Sequence, residues 1–193
     1  MRCASTRGLL VLLCPLLTLG CLYDRYTSNT KRSATEQLLV STSVDRAVDA
    51  VALPEVDGRR VAVRVVGLGH IDKDYDDLEY VQTALEQRVL RLGGMIAKKP
   101  EAADLRMTVL VAAVGTVERH FVVGVPNFNI GIFGHYKQHG YTKLSLLTQD
   151  PSGQIVADSP FVMEGAHHEI WELMMAVWRR EDIYPDERAL GVD

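Results

Sequence analysis

The stretch LRMTVLVAAV, residues 105–114, decides the fold class of this chain of 193 residues. It is a run of aliphatic and β-branched residues, which is typical of a strand. The stretch RVAVRVVG, residues 60–67, predicts a second strand because it is β-branched and bounded by Gly58 and Gly67. Residues 116–123 either continue the first strand or pair back on it past Gly115. We therefore expect a sheet at the centre of the fold.

Helical signals flank these strands. Ser33 and Glu36 have the spacing of a capping box, and Pro54 ends the predicted helix near Leu53. Apolar residues follow this cap at helical spacing: Val40, Val44, Ala47, Val48 and Val51. A second helix begins after the cap residue Asp76 and ends at Gly93 and Gly94, with an inner face of Leu78, Val81, Leu85, Val89 and Leu92. Residues 169–179 predict a third helix, with an inner face of Ile170, Met174, Val177 and Trp178.

Residues 141–148 and 154–157 predict a hairpin, because the intervening residues 149–153 have turn chemistry. Residues 95–97 predict a short strand. Hairpins without regular alternation of strand and helix favour an α+β fold. We expect a single two-layer domain over residues 33–193, with a mostly antiparallel sheet and two or three packed helices.

Composition limits the functional classes. Hydrophobic residues make up 47% and charged residues 24%, as in an ordinary globular protein. The formal net charge is −4, and loss of residues 1–21 removes two arginines and no acid, leaving 19 basic and 25 acidic residues, or −6. Because such a surface repels phosphate backbones, we expect no nucleic-acid partner.

Residues 1–21 have the three parts of an export signal. Arg2 and Arg7 precede an apolar run at residues 8–19, and the small residue Gly20 follows. The run spans about 18 Å as a helix, too short for a hydrocarbon core of about 30 Å. Pro15 argues against a buried core helix. We expect an exported protein whose signal peptide is residues 1–20.

The pair Gly20–Cys21, after a leucine-rich run, resembles the lipobox of bacterial lipoproteins. The resemblance implies cleavage between these residues, a lipid on Cys21 and attachment to the membrane of the cell envelope. Leu22 in place of Asp implies the outer membrane where two membranes are present. An ordinary signal peptidase could also accept Thr18 and Gly20. Residues 21–32 then form a lipidated N-terminus and polar tether, and the one remaining cysteine excludes an internal disulfide.

The sequence offers only weak candidates for metal ligands. His135 and His139 lie four apart, but Gly134 and Gly140 argue against a helix between them. A His/Glu site requires this segment to lie beside His167, His168 and Glu169; solvent-facing histidines are the simpler interpretation. Residues 72–76 begin like a calcium loop, but the loop's sixth and twelfth positions hold Asp77 and Thr83. Complete phosphate-binding and nucleophile motifs are absent, and we expect neither a cofactor nor catalytic residues.

The segment 124–140 alternates apolar and polar residues, which indicates an ordinary strand or long loop. It could also be an adhesive edge completed by a partner protein or a second copy. The candidate residues are Phe128, Ile130, Ile132, Phe133 and Tyr136. A membrane-inserting hairpin is a further alternative.

Taken together, these features favour a non-enzymatic, lipid-anchored envelope protein that faces the periplasm and acts as a scaffold or assembly partner. Two alternatives remain open: a metal-dependent hydrolase that uses the histidines and Glu169, and a module that binds lipid or glycan in a pocket.

Overall fold

The computed structural model of the chain describes residues 22–24, 32–67, 77–125, 130–174 and 176–183. Within these residues there are two α-helices, α1 (Ala34–Ala50) and α2 (Asp77–Arg91), and a short 3₁₀ helix, Pro100–Ala102. Seven strands form one sheet: β1 (Leu22–Asp24), β2 (Arg60–Gly67), β3 (Met95–Ile96), β4 (Leu105–Val125), β5 (Ile130–Gln149), β6 (Ile155–Leu173) and β7 (Ala176–Glu181). The α+β class is confirmed.

The sheet is mixed. Its strand order is β3-β2-β4-β5-β6-β7, with β1 paired to β4 beside this path. The β2–β3 and β2–β4 pairs are parallel, and the other pairs are antiparallel. Both β2 and β1 lie along the same edge of β4: β2 pairs with residues 105–111 and β1 with residues 120–122.

The apolar core lies between the two helices and the first half of the long strands. Helix α1 begins at the predicted capping box, in which Ser33 Oγ accepts from the Glu36 amide at 3.2 Å and Glu36 Oε2 accepts from the Ser33 amide at 2.7 Å. It ends at Ala50, three residues before the predicted end, because Val51 is already extended. The largest fully buried side chains are Leu39, Leu85, Leu105, Met107, Leu144 and Leu146.

Helix α2 ends as predicted, since Gly93 adopts a φ of +83° that favours glycine. Its first residue, Asp77, accepts a hydrogen bond from Arg32 Nη2 at 2.7 Å, which ties the two helix starts together. Leu92 departs from the predicted inner face because its side chain is 48% exposed. The predicted cap Asp76 lies outside the described residues.

The predicted helix at residues 169–179 is wrong. These residues form the end of β6 and the start of β7, joined by a turn at Met174 with a φ of +52°. Glu169 pairs with Arg180, and Trp171 with Trp178. The apolar spacing fits a helix locally, but aromatic and β-branched residues favour a strand where a partner strand is present, and β5 supplies it.

The N-terminal tether also needs correction. Leu22–Asp24 is a strand of the sheet, paired antiparallel to β4, and not a free polar linker. Backbone pairing with an adjacent strand explains this, because β-pairing needs no apolar period in so short a segment. Residues 25–31 of the predicted tether lie outside the described residues.

The three longest strands reach well beyond the helices. Strands β4, β5 and β6 have 21, 20 and 19 residues, several times the usual length. Helix α1 crosses the sheet at Gly140, where an added Cβ would lie 2.3 Å from the Leu39 carbonyl oxygen. We call the part beyond this crossing the strand extension: residues 117–125, 130–139, 167–173 and 176–181.

Candidate functional site

On the sheet face opposite the helices, the strand extension presents side chains in register rows. From the end of the extension inward, the apolar row is Val123, Phe133, Leu173 and Ala176. The aromatic row is Phe121, His135, Trp171 and Trp178. The charged row is Arg119, Lys137, Glu169 and Arg180, and the histidine row is Val117, His139 and His167. Directly paired residues share a face and lie close enough to interact.

Glu169 is the buried charge of this face, with 8% of its surface exposed. Lys137 Nζ lies 2.7 Å from its Oε1, and this hydrogen bond holds the pKa of the Glu169 carboxyl below its usual range. His139 Nε2 is 3.9 Å from the same oxygen. Burial, with the nearby Lys137 ammonium, lowers the pKa of His139. Lys137 therefore neutralises Glu169, and His139 tends to stay uncharged.

The other histidines are held by different neighbours. His135 stacks on Trp171, with ring centroids 5.1 Å apart and an interplanar angle of 8°. His167 Nδ1 lies 3.1 Å from Asp182 Oδ2, and Asp182 also accepts from Arg46 Nη1 at 2.8 Å. These contacts give both rings structural roles.

The five predicted metal-site residues are thus brought to neighbouring strands, but not to one point. His135, His139, His167 and Glu169 share a face, whereas His168 pairs with Gln138 and lies on the other face beside Glu181. The centroids of His139 and His167 are 6.2 Å apart. Over the ranges that the structure describes, no group of three or more His, Cys, Asp or Glu is arranged to hold a metal ion.

The predicted partner-binding residues differ in their positions. Phe128 lies outside the described residues, and Ile130 begins β5. Ile132 is 40% exposed. Phe133 is half-buried, and its ring centroid lies 6.1 Å from that of Phe121. The rings of Tyr136 and His120 are nearly perpendicular, with their centroids 4.9 Å apart.

Sequence reasoning identified only Ile132 of a group of exposed apolar side chains at the end of the extension. We call this group the apolar end: Ile132, Leu173, Met174, Val177 and Trp178. The Met174 amide donates to the Ile132 carbonyl oxygen at 2.9 Å, so the β6–β7 turn lies beside β5. No local signal marks this hairpin, because Met174 and Met175 lack turn chemistry and the apolar spacing around them fits a helix.

A second missed feature is the free edge of β6. Strand β7 covers β6 only over residues 168–173, and no other strand among the described ranges pairs with this edge. We call residues 155–164 the free edge. Its exposed apolar side chains are Ile155, Val156, Phe161 and Met163. Lys143 Nζ sits 5.2 Å from the Phe161 ring centroid.

The predicted lipidation and cleavage residues, Cys21 and Gly20, lie outside the described residues, as does the start of the rejected calcium loop at residues 72–76. Cys21 is bonded directly to Leu22, the first residue of β1. In the part of the chain that the structure describes, neither helix has the length and apolarity needed to cross a membrane.

Comparison with known proteins places the sequence in a family. The chain belongs to a family of unknown function, DUF6655, whose model matches residues 18–134. No curated protein matches the chain. A crystal structure of a proposed neuraminyllactose-binding hemagglutinin homologue from Helicobacter pylori matches with 15% identity and a TM-score of 0.33, covering 73% of this chain and 81% of that one.

Proposed function

We propose that this protein is a lipid-anchored, non-enzymatic scaffold of the bacterial envelope that binds a partner protein by strand addition to the free edge of β6. The observation that carries the proposal is this edge itself: along residues 155–164, β6 pairs with β5 on one side, and no strand among the described residues pairs with its other side.

The chemistry of the free edge suits a protein strand. An open edge offers unpaired backbone N–H and C=O groups to an incoming strand. Ile155 and Met163 are 63% and 62% exposed, and Val156 and Phe161 are both 47% exposed. Backbone hydrogen bonds would supply affinity, and pockets for these apolar side chains would supply specificity.

The proposed lipid anchor would set the distance between the free edge and the membrane. If Cys21 is lipidated, as its resemblance to a lipobox implies, the anchor joins the sheet through β1 at residues 120–122 of β4. The Phe121 position of β4 is level with Trp171 of β6, so the free edge lies from about 23 Å (residue 164) to about 53 Å (residue 155) away along β6. The fold would thus hold a partner at a distance from the membrane surface.

The two alternative functions gain less from the geometry. A metal-dependent hydrolase would need Glu169 as a ligand, but Lys137 holds that carboxylate at 2.7 Å. For a lipid or glycan module, the core space bounded by Leu85, Val109 and Leu144 amounts to about 10 Å³, about the least that admits one water molecule. A larger groove of about 730 Å³, at the start of the two helices, is open to solvent and does not enclose a ligand.

The test is site-specific photocrosslinking in cells that make the native lipoprotein. A crosslinker at Val156, which is 47% exposed, should give a discrete protein adduct, and one at Leu90 on α2, which is 53% exposed, should not. Met163→Lys should remove the Val156 adduct, because a charge on the edge opposes strand addition. Absence of a Val156 adduct, or an identical adduct from Leu90, contradicts the proposal.

A further inference from the structure

We propose that the apolar end of the strand extension is a membrane-contact surface that lies in the headgroup region of an anionic bilayer. This inference deepens the proposed function and rests on its lipid anchor. It commits the apolar end to lipid and leaves the free edge of β6 to protein.

The direction of β1 is the first reason to place this end of the sheet at the membrane. Leu22 pairs with Val122, three residues before β4 ends at Val125. Strand β1 runs antiparallel to β4, so the backbone before Leu22 leads toward the end of the extension. Cys21 follows within one residue, about 3.8 Å between Cα atoms. A lipid on Cys21 would therefore bring this end of the sheet, and not the helices, to the bilayer.

The order of the side-chain rows is the second reason. From the end inward, the helix-free face passes from an apolar row to an aromatic row and then to a charged row. Successive rows lie two residues apart, about 6.6 Å, so the charged row is about 13 Å behind the end. Proteins at a bilayer surface show this order, with aromatic rings at the headgroup level between apolar and charged residues.

The charge of the strand extension is the third reason. The charged row holds Arg119, Lys137 and Arg180 against the single acid Glu169, a local balance of +2 in a chain whose formal net charge is −4. Basic side chains near an anionic membrane surface are attracted to it. The row thus complements lipid phosphate groups on the helix-free face, whereas the adjacent row of the other face holds the acids Glu118 and Glu181.

The distribution of exposed apolar groups favours lipid over a docked protein. Leu173 and Trp178 lie on the helix-free face, at 46% and 51% exposure, whereas Val177, at 55%, lies on the other face. Met174 forms the turn between them and is 77% exposed. A protein partner would cover one face, but a bilayer surrounds an inserted end. Among the described residues from the aromatic row outward, the one acid is Glu172, which packs over Gly134 with Oε2 3.3 Å from the position of an added Cβ. Asp24 lies one residue further inward, paired with His120.

Tryptophan fluorescence tests this surface directly, because Trp171 and Trp178 are the only tryptophans of the chain and pair within the aromatic row. The lipidated protein would be reconstituted in phosphatidylcholine–phosphatidylglycerol vesicles with plain or brominated acyl chains. In plain vesicles we expect the tryptophan emission maximum to lie at a shorter wavelength than without lipid. Lipids brominated near the headgroups should quench most of this emission.

Matched variants separate this surface from the anchor. Leu173→Ser with Val177→Ser should abolish the bromine quenching while the protein still sediments with vesicles. The control, Ile155→Ser with Val156→Ser, removes similarly exposed side chains at the other end of β6 and should leave quenching unchanged.

Two results overturn the inference: sedimentation with vesicles but no quenching of the native protein, or a blue shift that depends on protein concentration and not on lipid, which assigns the surface to a second copy. Failure of the anchor is a separate result. If Cys21 carries no lipid but the tryptophans are still quenched, the proposed anchor fails and the contact surface stands.

Discussion

Gly140 lies where α1 crosses β5, and its lack of a side chain is required by packing. An added Cβ would meet the Leu39 carbonyl oxygen at 2.3 Å and its carbon at 2.6 Å, both backbone atoms that cannot rotate away. We expect Gly140→Ala to lower the free energy of unfolding by about 1–3 kcal/mol, the usual cost of overpacking. Urea denaturation checks this value.

The matched control is Gly134→Ala, on the same strand and the same face. Its nearest neighbours are the side chains of Tyr136, at 3.2 Å, and Glu172, at 3.3 Å, which can move. This variant should lose much less stability. Equal losses at the two glycines would mean that α1 does not cross the sheet at Gly140.

His139 makes stability depend on pH. Burial and Lys137 lower its pKa in the folded state, whereas the unfolded value is about 6.5. Below that pH the unfolded chain binds more protons at this site, so the contribution is fully present above about pH 6.5 and is lost as the pH falls toward the lowered value.

We expect His139→Gln to lose less stability than the native protein between about pH 7.5 and about pH 5.5, because glutamine does not titrate. Urea denaturation at the two pH values measures it. The neighbouring change Gln138→Asn should keep the native pH dependence. An unchanged slope in His139→Gln would show that this ring titrates as freely as in the unfolded chain.

At the scale of elements, the N-terminus of α1 depends on its cap. Ser33→Ala removes the acceptor of the Glu36 amide and should lower the unfolding free energy by about 1 kcal/mol. Ser41→Ala, within the same helix, removes only a bond to the Leu38 carbonyl and should have a much smaller effect. Thermal unfolding of both variants checks the difference; equal effects would argue against the cap.

The elements that sequence predicts well are those with local causes. The capping box at Ser33 and the glycine stop at Gly93 depend on a few neighbouring residues, and both are present in the structure. The β-branched run of β2 was predicted to the residue. These signals need no knowledge of distant partners.

The elements that sequence missed have distant causes. At residues 169–179 an apolar spacing of three and four fits a helix, but pairing with β5, about thirty residues earlier in the chain, makes them strands. Antiparallel pairing with β5 also explains why β4 continues through Gly115 to Val125. Because the rows of the candidate site depend on this register, they could not be predicted from local pattern.

A pair of cysteines tests the strand assignment. Ile170 and Arg179 are paired across β6 and β7, so their Cα atoms lie about 4.5–5.5 Å apart, within reach of a disulfide. In a helix, nine residues would separate them by about 13.5 Å. We expect Ile170→Cys with Arg179→Cys to crosslink under mild oxidation, as seen by peptide mass spectrometry.

The control pair is Ile170→Cys with Trp178→Cys, because Trp178 pairs with Trp171 and points to the other face. It should stay reduced under the same conditions. Failure of both pairs to crosslink would favour the helix, because residues eight or nine apart in a helix are separated by about 12–13.5 Å. Crosslinking of the control pair alone would indicate a register shifted by one residue.

At the scale of the whole molecule, the long strands separate two surfaces. One end of the extension carries the apolar end beside β1, and the other end of β6 carries the free edge. The helices pack on the half of the sheet that holds residues 142–149 of β5 and the free edge paired to them. In the proposed function, the first surface rests on the membrane and the second binds a protein.

The lipid at Cys21 is the proposed feature that positions both surfaces relative to the membrane. The most direct measurement is therefore the intact mass of the mature N-terminal peptide from membranes, beside a Cys21→Ser variant. The account predicts an N-terminal Cys21 that carries acyl chains, and the loss of that mass in the variant. An unmodified N-terminus at Cys21, or cleavage at another residue, would contradict the central claim.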